Sequence, residues 1–294
     1  MPARNSPAGP SPILLVLIGI VSVQVGAGFA KLLFDQVDPT TLVWLRLVTS
    51  AVVLLASARP DLRSRSAADW RTVLAFGAAL GLMNFSIYQS FARIPLGIAV
   101  TIEFIGPLAV ALAGSRRARD LVWVLLAALG VVALGLEPAD LDPVGVAYAL
   151  LAAASWAAYI LLSARTGRRW SGLSGLTTAS LVAAVGLAPA ALLIDGGALA
   201  SPHVLVIGVV VGVMSSVVPY SCELVALRTL PAPVFGILMS LEPAAAALVG
   251  IVLVGEVLAP LQWVAVLCVV VASAGATRSA SRAVARSSPA PTAA

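Results

Sequence analysis

The sequence predicts an all-α polytopic membrane protein with ten transmembrane helices in two inverted five-helix repeats. Three observations carry this expectation. The composition lacks a polar surface: 60% of the 294 residues are apolar and 11% are charged, with a mean hydropathy of +1.03, whereas a soluble domain carries about 25% charged residues. Basic residues collect in alternate loops, and spaced motifs of the first half recur in the second. A soluble enzyme is excluded by the composition. A nucleic-acid partner is excluded as well, because the net charge of +5 comes from scattered arginines and not from a basic face.

A helix needs ~20 apolar residues to cross the hydrocarbon core. Breaking the chain at charge clusters and Pro/Gly turns places the first span at 13–33 and the second at 41–58, beyond Asp38-Pro39. The third, 72–91, follows Arg71; the fourth, 95–113, opens at Pro95; the fifth, 121–137, lies between Asp120 and Glu137. The sixth, 144–163, follows Asp142-Pro143, and the seventh, 174–194, stops at Asp195. The eighth, 203–227, runs from Pro202 to Arg228, the ninth, 232–254, from Pro231 to Gly255, and the tenth, 260–277, from Pro260 to Arg278. Arg4 and the small-residue stretch Gly28-Phe29-Ala30 resemble a signal peptide. With nine spans behind it, an uncleaved first helix is expected. Residues 1–12 and 278–294, rich in Pro, Ser and Ala, read as mobile cytoplasmic tails.

The positive-inside rule tests the count. With the N-terminus inside, the inner segments hold Arg4; Arg59, Arg63, Arg65 and Arg71; Arg116, Arg117 and Arg119; Arg165, Arg168 and Arg169; Arg228; and Arg278, Arg282 and Arg286, fifteen of the eighteen bases. The outer segments hold only Lys31 and Arg93, beside Asp35, Asp38, Glu137, Asp140, Asp142, Asp195 and Glu256. An error of one span would scramble this pattern, so both termini are expected inside. The arginine clusters read as topological signals rather than substrate ligands.

The halves echo each other. Gly77-x-x-x-Gly81-x-Met83-Asn84 recurs as Gly208-x-x-x-Gly212-x-Met214-Ser215, the Pro95/Pro107 spacing as Pro231/Pro243, and Leu121-x-Trp123-Val124 with Gly135 as Leu261-x-Trp263-Val264 with Gly275. The repeats are therefore placed at 13–137 and 144–277. After five crossings the second unit starts on the opposite side, so the halves are inverted. Inverted repeats mark secondary transporters, with the substrate site near the midplane between them. The glycine pairs are read as close helix packing.

The lone lysine, Lys31, is followed by Leu32, so no phosphate-cradling loop ending in Lys-Ser/Thr exists and ATP does not drive the chain by itself. One histidine, His203, cannot build a zinc site. Cys222 and Cys268 sit in apolar stretches and read as packed thiols. No metal or cofactor is expected.

The stretch Pro95-Leu96-Gly97-Ile98-Ala99-Val100-x-x-Glu103-Phe104-x-Gly106-Pro107-Leu108-Ala109-Val110-Ala111 resembles the threonine/homoserine exporters of the drug/metabolite transporter superfamily, built from two EamA domains. Gln24-x-Gly26-Ala27-x-x-Ala30-Lys31, Pro219-Tyr220-Ser221-x-Glu223 and Met239-Ser240-x-Glu242-Pro243 support the resemblance, which spans roughly residues 13–277. It implies ten helices in two inverted EamA repeats, a bacterial inner membrane and efflux of small amphipathic metabolites, here small amino acids such as threonine or homoserine. The chain departs from the wider superfamily in its first span, where Gln24-Val25-Gly26 replaces a frequent Trp, whereas Trp156-Ala157 fits in the sixth.

An ionisable residue at membrane depth costs roughly 2.5–3.5 kcal/mol on insertion scales, so the few present are functional candidates. They are Arg46, Glu103, Glu223 and Glu242. In repeat register Glu103 aligns with Met239 and Gly106 with Glu242. Arg46 offers a bidentate fork to a substrate carboxylate, with Glu103 or Glu242 facing its ammonium and either carboxyl carrying a coupling proton. The competing reading is a structural ion pair between Arg46 and one of these glutamates. Glu223, close to Arg228, is assigned to an interfacial pairing at the helix end. Gln24, Asn84, Tyr88, Gln89, Trp156, Tyr159, Ser215, Ser216 and Tyr220 are candidates to line the cavity, Asn84 and Tyr88 sharing a helix face. Trp44, Trp70, Trp123, Trp170 and Trp263 are assigned to interfacial belts. Efflux of another metabolite or drug, an intramembrane enzyme and a membrane scaffold are the alternatives, and the oligomeric state is left open. The expected partners are thus an amino-acid-like small molecule, protons and the lipid bilayer.

Overall fold

The computed structural model describes residues 11–58, 60, 62–63, 65–113, 121–136 and 141–287. Among them every regular element is helical. Among the described residues nine segments are long and apolar enough to cross a membrane, and Leu121–Gly130 forms a shorter apolar helix. Arg4, Arg59, Arg116, Arg117, Arg119, Glu137 and Asp140, and the ends of both expected tails, lie outside the described residues.

The helices α1 (Pro12–Lys31), α2 (Pro39–Ser57) and α3 (Ala67–Phe91) follow the expected spans. Their starts have local causes. Asp38 caps α2 through Thr40 N at 2.7 Å, ahead of Pro39 at the first helical position, where a missing N–H costs nothing. A capping box between Ser66 and Asp69 starts α3 at Ala67, before the expected 72. The fourth helix, α4, is broken into Leu96–Glu103 and Ile105–Ala113 by a turn at Phe104. Next come α5 (Leu121–Leu136), α6 (Pro143–Gly167) and α7 (Ser174–Asp195). The eighth, α8, joins Pro202–Gly212 to Val218–Ala226 through the π-helical turn Val213–Val217. The ninth, α9, is broken into Ala232–Met239 and Glu242–Val249 and ends in a second π turn, Gly250–Val254. The last, α10, is Pro260–Ser287, so the first part of the segment expected as tail is helical; its Ala and Arg content favours that state.

The breaks in α4 and α9 fall in the same register. Leu96–Glu103 and Ala232–Met239 each begin one residue after a proline, Pro95 or Pro231, and end four residues before another, Pro107 or Pro243. A proline has no N–H for the carbonyl four residues back, so Glu103 and Met239 each lose the amide that would continue the helix. The sequence echo is thus also a structural one, in two helices that run in opposite directions.

The other echoed motif packs symmetrically. Gly77 and Gly81 of α3 admit α7: a Cβ on Gly77 would sit 2.6 Å from Val182 Cβ. Gly208 and Gly212 of α8 admit α2 in the same way, facing Leu45 and Thr49. In addition α3 lies along α6, α5 along α10 and α1 along α8.

Because successive helices cross in alternate directions, one face carries Arg65, Arg71, Arg165, Arg168, Arg169, Arg228 and Arg278, and the other Asp35, Asp38, Asp142, Asp195 and Glu256. On the arginine-rich face Arg169 pairs with Asp69 at 3.0 Å. There Arg65 covers the Trp170 ring, which is buried and meets Trp70 edge-on. Trp170 is therefore a packed ring and not part of an interfacial belt.

The acidic face is closed by a tighter set of contacts. Beyond the π turn of α9, Gly255 takes a left-handed conformation, φ 77°, open to glycine, and turns Glu256 back. The Glu256 carboxylate pairs with Lys31 Nζ at 2.6 Å and accepts from Leu96 N at 2.9 Å. Lys31 Nζ also donates to the Ile94 carbonyl at 2.7 Å. One carboxylate thus ties the end of α1, the start of α4 and the end of α9. Alongside, the halves of α4 and α9 nearest this face lie against each other, and a Cβ on Gly97 would be 2.6 Å from Ala247 Cα.

Candidate functional site

Between the halves lies a cavity of about 210 Å³. It takes Gln24 from α1, Arg46 from α2, Asn84 from α3, Glu103 from α4, Trp156 and Tyr159 from α6, Ser215, Tyr220 and Glu223 from α8, and Glu242 from α9. The breaks just described put two of its acids in place: Glu103 is the last residue of the first half of α4, and Glu242 the first residue of the second half of α9. Non-helical backbone at membrane depth is tolerated where it lines a cavity.

Among the described residues Arg46 is the one base in this lining. Its Nη2 donates to the Ser215 carbonyl at 3.1 Å, and its guanidinium stands 5.7 Å from the Tyr88 ring centre. Among the described residues it forms no ion pair, so a structural pair between Arg46 and a glutamate is not what this conformation contains. The guanidinium carries five N–H donors, and several remain for a ligand. Asn84 gives one amide N–H to the Leu80 carbonyl at 2.9 Å. Trp156 is held edge-on to Phe104 and Tyr159 against Phe76, both with ring centres 5.1 Å apart.

The cavity is closed towards the acidic face and opens the other way. Ala27, Ile87, Phe91 and Val100 of its lining are buried, with the Phe34–Tyr88 ring pair beyond them. At the opposite end Tyr220 is 37% exposed and Tyr159 and Glu223 are half-buried.

Four sequence expectations are corrected. Tyr88 does not line the cavity: it is fully buried and supports Arg46 from behind. Gln89 is likewise elsewhere, bonded to Thr40 and Arg93, and Ser216 is buried outside the lining. Glu223 moves in the other direction. This acid lies three residues before the end of α8 at Ala226 and lines the cavity, and among the described residues it forms no ion pair. Pro219 and the apolar wall of Met83, Ile87, Phe91 and Met239 were not anticipated; Pro219 carried a signal, standing four residues after Ser215.

Residues 143–278 match the EamA-like transporter family. The chain is 43% identical over 270 residues to the protein named threonine/homoserine exporter RhtA in Escherichia coli strain K12, an alignment covering 90% of this chain and 91% of that protein. The same figures hold for the protein of that name in Salmonella typhimurium strain LT2. A solved chain described as "Crystal structure of protein" superimposes with a TM-score of 0.62 at 19% identity, covering 92% of this chain and 98% of that one. It shares the fold.

Proposed function

Because the chain belongs to the EamA-like transporter family, we propose that it exports small zwitterionic amino acids of the threonine and homoserine type by alternating access, coupled to protons. The observation that carries the reading is the cavity: one guanidinium and three carboxylates between the two halves of the fold, sealed on one side. A cavity of about 210 Å³ lies below the ~300–1,000 Å³ of drug-sized pockets, which favours a small metabolite over a bulky drug.

The roles follow from the geometry. Arg46 takes the substrate carboxylate in its fork. Glu103 sits at the carbonyl end of a half-helix, where the dipole is negative and Pro107 leaves its carbonyl without an amide; that end suits the ammonium. Glu242, with Glu103, carries the coupling proton. Gln24, Asn84, Ser215, Trp156, Tyr159 and Tyr220 shape the space between these charges. The arginine-rich face is cytoplasmic by the positive-inside rule. The conformation seen is thus the one that loads substrate from the cytoplasm of a bacterial cell, across its inner membrane. A carrier needs no covalent chemistry, and the site is read as that of a transporter and not an enzyme.

Proteoliposomes or inverted vesicles loaded with a panel of amino acids, with and without an imposed pH gradient, test this. Threonine and homoserine flux that rises with the gradient is expected. Absence of amino-acid flux under both conditions overturns the substrate assignment in favour of another metabolite.

A further inference from the structure

The π turn of α8 is local chemistry with a consequence for Arg46. In an unbroken α-helix the Ser215 carbonyl would accept from the amide of residue 219, which here is Pro219 and has no N–H. The preceding turn widens to the π form over Val213–Val217. Two of its carbonyls find partners on the other half of the molecule. Ser22 Oγ of α1 donates to Met214 O at 2.7 Å, and Arg46 Nη2 of α2 donates to Ser215 O at 3.1 Å. Glycines make the approach possible: a Cβ on Gly26 would meet Met214 Cβ at 3.1 Å and Ser215 N at 3.3 Å. Gly212 admits Thr49 of α2 in the same way. Pro219 itself lines the cavity.

We propose that Pro219 is a positioning residue for Arg46: by withholding an amide from the Ser215 carbonyl, it leaves a backbone acceptor that pins one arm of the guanidinium. The remaining donors then face the cavity in a fixed orientation. A long, freely rotating arginine would have to be ordered each time substrate binds, whereas one already tied to a carbonyl has met most of that cost. This rests on the reading of Arg46 as the seat of the substrate carboxylate.

The test separates the missing N–H from the kink. Pro219→Ala restores an amide that competes for the Ser215 carbonyl. Incorporating lactic acid at position 219 gives a backbone ester with the same methyl, no ring and no N–H. In proteoliposomes, Pro219→Ala is expected to raise the threonine KM about tenfold, the size of one charge-assisted hydrogen bond, with a smaller change in maximal rate. The ester variant should keep KM near that of the unaltered protein. An unchanged KM in Pro219→Ala overturns the inference, and so does an ester variant as impaired as the alanine one, since the ring would then be what matters. Threonine-dependent thermal stabilisation in detergent gives the same comparison without transport. Arg46→Gln tests the underlying reading: if it transports threonine normally, that reading fails. If Arg46→Gln is inactive while Pro219→Ala keeps its KM, only the positioning role fails.

Discussion

Glu103 ends one half-helix and Glu242 begins another, so their carboxylates stand at opposite poles of helix dipoles in one cavity. Division of labour follows. Glu103→Gln keeps the shape but neither balances an ammonium nor releases a proton, and threonine flux should fall by about tenfold or more. Glu242→Gln should still bind threonine, seen as thermal stabilisation, yet lose the response of flux to an imposed pH gradient; an intact response would remove it from coupling. Arg46, Glu103 and Glu242 were legible in the sequence because charge inside a membrane is costly and so conspicuous. Glu223 was conspicuous on the same ground, but its closeness to Arg228 in sequence did not show that it lines the cavity. Tyr88 shares a helical face with Asn84 by spacing, but spacing does not say how deep a ring sits. It is packed against Phe34 and Phe91, behind the guanidinium.

At the scale of elements, α4 and α9 decide which face is sealed. Their halves near the acidic face touch through Gly97 and Ala247, where Gly97 brings no side chain. Gly97→Leu should wedge them apart, since even a Cβ would lie 2.6 Å from backbone. The expected result is loss of threonine export with a cavity cysteine, for instance at Ala27, reactive from the acidic face. Lys31→Met removes the cation from the three-helix tie at Glu256. Opening on that side should become more frequent on the order of tenfold, read as faster labelling of the same cysteine. Labelling rates equal to those of the unaltered protein would show that Lys31 does not hold the seal. The spans themselves were readable, since apolar length and caps such as Asp38 and Asp142 are local. The breaks were only half readable: the proline spacing was visible, but a proline inside a membrane helix can kink, break or widen it, and neighbouring helices choose. Pro189 leaves α7 continuous, whereas Pro219 follows a π turn.

The whole molecule is organised by where its few charges sit. The arginine-rich face should be cytoplasmic. A single cysteine at position 168, in a background with Cys222 and Cys268 replaced, should react with an impermeant thiol reagent in inverted vesicles and not in intact cells. The reverse pattern would turn the export direction around. The sequence predicts this orientation because loops declare their charge, and it predicts inverted repeats from an odd number of crossings. The direction in which the cavity opens was not legible there, because it depends on contacts between residues as distant as Lys31 and Glu256.

That distant pair carries one more consequence. Lys31 is the chain's single lysine, and its amine is engaged while the acidic face is shut. An amine-acylating reagent supplied from that face would modify the side chain only during excursions to the open form. The unaltered protein therefore holds its own chemical clock: acylation of one identifiable peptide, followed over time with and without threonine, counts how often the gate swings and whether cargo speeds it.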